Sequence, residues 1–116
     1  MYLVLAESNV RLGNANAALS YLEKLLLYRY KTGKSLNLPN AIQPDQVLNR
    51  ILIERRKELA FHGQRWGDIK RLNKQGENII QTRYVGGQTF TIGVNDVRYA
   101  LPLPEQTVKR YGLEQN

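Results

Sequence analysis

Glu54, Glu58 and His62 stand four residues apart, a spacing at which one edge of a helix presents carboxylates and an imidazole together. Such a set suits divalent-metal ligation or general acid–base work. A helical wheel argues against the metal, because Glu54 and His62 diverge by roughly 80° about the axis. His62 is also the only histidine, and the chain has no cysteine to complete a ligand set. Triad chemistry lacks its parts for the same reason, and no serine sits in a recognisable nucleophile motif. No spacing singles out a carboxylate pair for glycoside hydrolysis. Gly86-Gly87 and Thr32-Gly33-Lys34-Ser35 lack the Gly-x-x-x-x-Gly-Lys pattern that cradles phosphate. These residues predict a protein that is not an enzyme and needs no metal or cofactor.

Trp66 is the single tryptophan. An aromatic platform could grip the apolar face of a sugar, but its place just after a helix stop favours a packing role with a partnered indole N–H. Arg65 beside it reads as a tie to Glu58 or Glu54 rather than a ligand fork. Tyr28, Tyr30 and Tyr84 could extend a carbohydrate surface, although tyrosines on helices and strands are more often half-buried packing residues. The sequence shows no convergent cluster of aromatic and polar groups, so no glycan binding by this chain alone is expected.

The charge balance reads first as a solvated helix face with some structural arginines. The chain carries 17 Lys and Arg against 10 Asp and Glu, a formal net charge of +7. Arg50, Arg55, Arg56, Lys57, Arg65, Lys70, Arg71 and Lys74 cluster against only Glu54, Glu58 and Asp68. Such a segment could meet an acidic surface. It lacks zinc-finger spacing, an RNP-like aromatic motif or a GXXG loop, so nucleic acid is not the expected partner.

The elements that must position these side chains are mainly helical. Met1 to Leu12 reads as a helix stopped by Gly13, and Asn14 as the cap of a second helix from Ala15 to about Tyr30. In the second, Ala18, Leu22 and Leu25 share a face, with Tyr21 and Tyr28 alongside. Met1 to Ala6 is apolar on every side, which implies neighbours from an upstream repeat and a tendency to self-associate. After a Pro- and Gly-punctuated loop, a third helix is expected from Asp45 to His62, closed by Gly63. Leu48, Ile51, Leu52 and Leu59 form its stripe, with Arg55 in the middle and therefore in need of a paired carboxylate such as Glu58. A short fourth helix spans Arg65 to Leu72. Ile79 to Val94 switches to a period of two around Gly86-Gly87, a small β-hairpin. Leu101-Pro102-Leu103-Pro104 must be extended, and Pro104 opens a terminal turn of helix stopped by Gly112.

At 116 residues the chain has room for one domain. No run approaches the roughly 20 apolar residues of a membrane span. Met1 to Ala6 lacks the basic flank and small-residue cleavage site of a signal peptide.

Two segments carry a family resemblance. Glu54-Arg55-Arg56-Lys57-Glu58-Leu59-Ala60-Phe61-His62-Gly63-Gln64-Arg65-Trp66-Gly67-Asp68-Ile69-Lys70-Arg71 is similar to the signature stretch of the SusD/RagB family. Tyr99-Ala100-Leu101-Pro102-Leu103-Pro104 resembles its Leu-Pro-Ile-Pro motif. The first hairpin, with Arg11-Leu12-Gly13-Asn14, resembles a tetratricopeptide unit. His62 and Gly67 depart from the pattern, standing where a glutamate and an aromatic are common. The resemblance implies a partial domain at the C-terminal end of a longer protein: a tetratricopeptide-like hairpin (1–30), signature helices (45–72), a β-hairpin (79–94) and a tail (99–116). It also implies a surface lipoprotein of the outer membrane in Bacteroidetes-type bacteria, which binds oligosaccharide or polysaccharide and works with a TonB-dependent transporter. This chain is then mainly scaffold and partner surface, with Arg55, Glu58, Arg65, Trp66 and Asp68 as a structural knot. The competing expectation is a free-standing tetratricopeptide-like adaptor that holds a peptide or acidic partner through Arg50 to Lys74.

Overall fold

The computed structural model describes residues 1–115 and is mainly α-helical, with one small antiparallel hairpin near the C-terminus. Two compact units divide it, Met1–Phe61 and the residues from His62 onward.

In the first unit, α1 (Tyr2–Arg11) and α2 (Ala15–Leu27) form a helical hairpin. Gly13 makes the turn, with a φ of 83°. Its N–H donates to Val10 O (3.1 Å) and that of Asn14 to Asn9 O (2.8 Å), the paired bonds of a Schellman stop. Asn14 therefore closes α1 through its backbone, and its side chain makes no cap bond to α2. Ala6 and Ala18 are fully buried, and their small size lets helices approach closely. Leu3, Val10, Ala15, Leu22 and Leu26 complete the buried faces of the pair. The inward residue near the end of α2 is Leu26, and Leu25 is half-buried beside it. The helix also ends at Leu27, short of the expected Tyr30.

The third helix, α3 (Pro44–Glu58), starts with proline in its first turn, where a missing N–H costs nothing. Val47 and Ile51 drop into the same core, and half-buried Leu36, Leu38 and Ala41 of the preceding loop pack around it. Each fully buried Leu or Ile here contributes roughly 1.5–3 kcal/mol over its exposed state. Two expectations need correction. The buried edge of α3 is Val47, Ile51 and Glu54, while Leu48, Leu52, Arg55 and Leu59 are half-buried. The helix also stops at Glu58, four residues early. Leu59 N–H makes a last bond to Arg55 O, and Phe61 then takes a left-handed φ of 64° that α-helix does not accommodate.

In the second unit, α4 (Arg65–Lys74) buries Ile69, Leu72 and Asn73. The strands β1 (Gln81–Val85) and β2 (Gln88–Ile92) pair antiparallel, with Val85 opposite Gln88. Gly86 (φ 55°) and Gly87 (φ 78°) are both left-handed, as the two-residue turn that matches strand twist demands. A 3₁₀ turn, Val97–Tyr99, follows, with the Asp96 side chain accepting from Arg98 N–H. The last helix, α5 (Glu105–Tyr111), follows the extended Leu-Pro-Leu-Pro segment and stops at Gly112. Gln115 folds back on that segment, accepting from Leu103 N–H and donating to Leu103 O.

Candidate functional site

The five signature residues occupy the end of α3 and the start of α4. Arg55 and Glu58 are half-buried on the last turns of α3. Glu58 takes a two-pronged bond from Arg29, whose Nη2 lies 2.5 Å from Oε1 and whose Nε lies 3.0 Å from Oε2. The buried carboxylate of α3 is instead Glu54, which accepts Arg50 Nη2 at 3.1 Å and Lys57 Nζ at 2.9 Å. His62 lies beyond the end of α3 and is exposed, so it shares no helix edge with Glu54 and Glu58. Among the described residues no group of three potential ligands is placed to hold a metal.

Arg65, Trp66 and Asp68 fall in the first turn of α4, all half-buried. The Trp66 indole N–H donates to Tyr99 O at 3.2 Å. The two rings lie 4.8 Å apart at a tilt of 49°, within the range of favourable aromatic pairs. Asp68 accepts a long 3.5 Å contact from Arg71. Tyr99 is 5% exposed, and its hydroxyl oxygen is buried without a hydrogen-bond partner among the described residues.

One face of the hairpin meets Trp66 at a cleft. Side chains alternate across a strand, so Gln81 and Arg83 share a face with their cross-strand partners Ile92 and Phe90. Those four line a cleft of about 460 Å³ with Thr82 and Trp66. Phe90 is 54% exposed. Arg83 is exposed and has no ion pair or hydrogen bond from its side chain among the described residues. A second cleft, of about 420 Å³, runs between α4 and the 3₁₀ turn, lined by Lys70, Lys74, Asn95, Asp96 and Tyr99 among others. Beside it, Arg98 grips Asp96 through Nε (2.9 Å) and Nη2 (2.7 Å) and holds that carboxyl well below the usual carboxylate range.

Phe90 is legible in the sequence only as part of the β-hairpin pattern, and neither it nor Arg83 stands out there as a site residue. The signal that places them opposite each other is the Gly86-Gly87 turn, because a two-residue loop fixes the register of every pair behind it. The tyrosines also differ from expectation: Tyr28 and Tyr84 are 80% and 79% exposed, and Tyr30 is exposed too, rather than half-buried in packing. The basic segment is less open than its composition suggests, since Arg50 and Lys57 bind Glu54 and Arg71 reaches Asp68.

Residues 1–116 match the model of the SusD family. SusD-like protein P2 of Formosa agariphila is 35% identical to the chain over 107 residues, which cover 88% of the chain and 20% of that protein. The chain thus spans about a fifth of the length of the relative it matches.

Proposed function

The chain belongs to the SusD family, and from that we propose that it is the scaffold and partner-facing portion of a non-enzymatic, glycan-binding nutrient-uptake protein. The match over residues 1–116 carries this reading. The intact protein captures an oligosaccharide or polysaccharide by non-covalent contact and passes it to a TonB-dependent transporter. It sits on the outer membrane as a lipoprotein. No helix among the described residues is long and apolar enough to cross a membrane. Arg55, Glu58, Arg65, Trp66 and Asp68 serve structure, Trp66 through its indole N–H while its ring also lines the hairpin cleft. Their support is that Glu58 is clamped by Arg29 and that the Trp66 N–H is occupied by a backbone carbonyl, so neither presents its main polar group freely.

Fractionation of cells that express the tagged protein tests this reading. Recovery in the outer membrane together with a TonB-dependent transporter is expected, as is slowed growth on a polysaccharide when the gene is deleted. Recovery in the cytoplasmic fraction without a transporter overturns it.

A further inference from the structure

We propose that the cleft between Trp66 and the β-hairpin is a saccharide subsite selective for a uronic acid, a pyranose that carries a carboxylate. The inference rests on the reading of the protein as glycan-binding and adds a location and a ligand class to it, replacing the expectation from sequence that this chain alone binds no glycan. A pyranose presents an apolar face of C–H bonds and a rim of hydroxyls. Trp66 from α4 and Phe90 and Ile92 from β2 all offer apolar surface to the cleft. Gln81, on the same strand face as Arg83, adds an amide to the hairpin wall. Its volume of about 460 Å³ falls in the range of small-molecule sites.

Selectivity comes from charge. Arg83 is the only ionisable residue among those lining the cleft. It stands directly opposite Phe90 across the strand pair, on the face that looks onto the cleft. The other well-placed arginines are already engaged: Arg29 with Glu58, Arg50 with Glu54, Arg98 with Asp96. Arg83 has no such partner among the described residues. A guanidinium fork matches a planar carboxylate through two parallel N–H bonds, and a neutral hydroxyl uses only part of that capacity. A ring seated in the cleft against Trp66 and Phe90, with its carboxylate toward Arg83, satisfies both the apolar and the charged elements of the cleft.

The test titrates the 116-residue chain with a galacturonic acid trisaccharide and, separately, with its methyl ester, following Trp66 emission and heat of binding. The ester keeps the ring and removes the charge. The expected result is a saturable Trp66 response to the acid, with the ester at least about tenfold weaker. Arg83→Gln abolishes that preference, while Lys74→Gln, which removes an equal charge outside the cleft, leaves it. Circular dichroism confirms that each variant folds. Equal losses in the two variants overturn the proposal in favour of diffuse attraction to a basic protein. Equal affinity for acid and ester overturns the selectivity, and no binding overturns the subsite. None of these outcomes touches transporter association or outer-membrane location, which decide the broader reading independently.

Discussion

Asn73 and Ile79 close a ring of two hydrogen bonds. The Asn73 amide donates to Ile79 O at 2.9 Å, and Ile79 N–H donates to Asn73 Oδ1 at 2.6 Å. Asn73 is 3% exposed, so water has little access to replace either bond. This ring holds the chain leaving α4 at the point from which β1 departs, and with it the wall of the Trp66 cleft.

Asn73→Ala is therefore expected to leave both backbone groups of Ile79 unpartnered, at a cost of about 1–3 kcal/mol. Asn73→Asp keeps the acceptor but loses the donor, and should fall between the variant and the parent. Urea denaturation followed by Trp66 emission checks the order. A midpoint unchanged in Asn73→Ala rules out the structural role.

Glu54 carries the second prediction. Glu54 is 6% exposed and its carboxylate holds Arg50 and Lys57, while Arg50 Nε is buried without a partner among the described residues and Arg50 Nη2 reaches Leu36 O only at 3.4 Å. Removing the acid strands a half-buried cation. Breaking a buried pair typically costs 3–5 kcal/mol, and the partial exposure of both cations brings Glu54→Ala nearer about 2–3 kcal/mol. Thermal unfolding in the variant should shift down by several degrees; an unshifted transition contradicts the pairing.

The helices, their order and the hairpin were readable in the sequence because each rests on local physics. Gly13 stops α1, Pro44 starts α3, and Gly86-Gly87 dictates a turn whatever surrounds it. The orientation of α3 was not readable. Leu48, Leu52 and Leu59 outweigh Val47 on a wheel, yet Val47 and Glu54 face inward because Arg50 and Lys57 neutralise the buried carboxylate. The site was harder still. Trp66 finds its acceptor 33 residues away in a backbone carbonyl, and carbonyls leave no mark on residue type. Arg83 and Phe90 become neighbours only through the register of the hairpin.

Asp96 supplies the pH prediction. The Arg98 side chain, then its backbone N–H, hold the Asp96 carboxyl well below its ordinary value. A carboxyl depressed in the folded state contributes stability that is complete above its unfolded value and is lost as pH falls through the folded one. The Asp96–Arg98 contribution is therefore constant through neutral and mildly acidic pH and disappears only in strong acid. Carboxyl NMR shifts should show Asp96 titrating below the other carboxylates, and Arg98→Gln should return it toward the ordinary range. An Asp96 midpoint in the ordinary range in the parent protein contradicts the tie.

Trp66 and Tyr99 give opposite predictions from one contact. The Tyr99 carbonyl accepts the indole N–H, and the ring packs against Trp66, but the Tyr99 hydroxyl is buried with no partner among the described residues. A buried, unmade hydroxyl bond is unfavourable by about 1–3 kcal/mol. Tyr99→Phe removes that hydroxyl while keeping the ring and the carbonyl, so the variant should be as stable as the parent or more so, by up to about 1 kcal/mol. Trp66→Phe keeps an aromatic contact but deletes the donor, and should lose about 1 kcal/mol. Urea denaturation followed by far-ultraviolet circular dichroism compares them without relying on the tryptophan. A Tyr99→Phe variant that loses more than about 1 kcal/mol shows that the hydroxyl is bonded in solution. The adjoining cleft beside Lys70 and Asn95 is then the place to look for the water or ligand that bonds it.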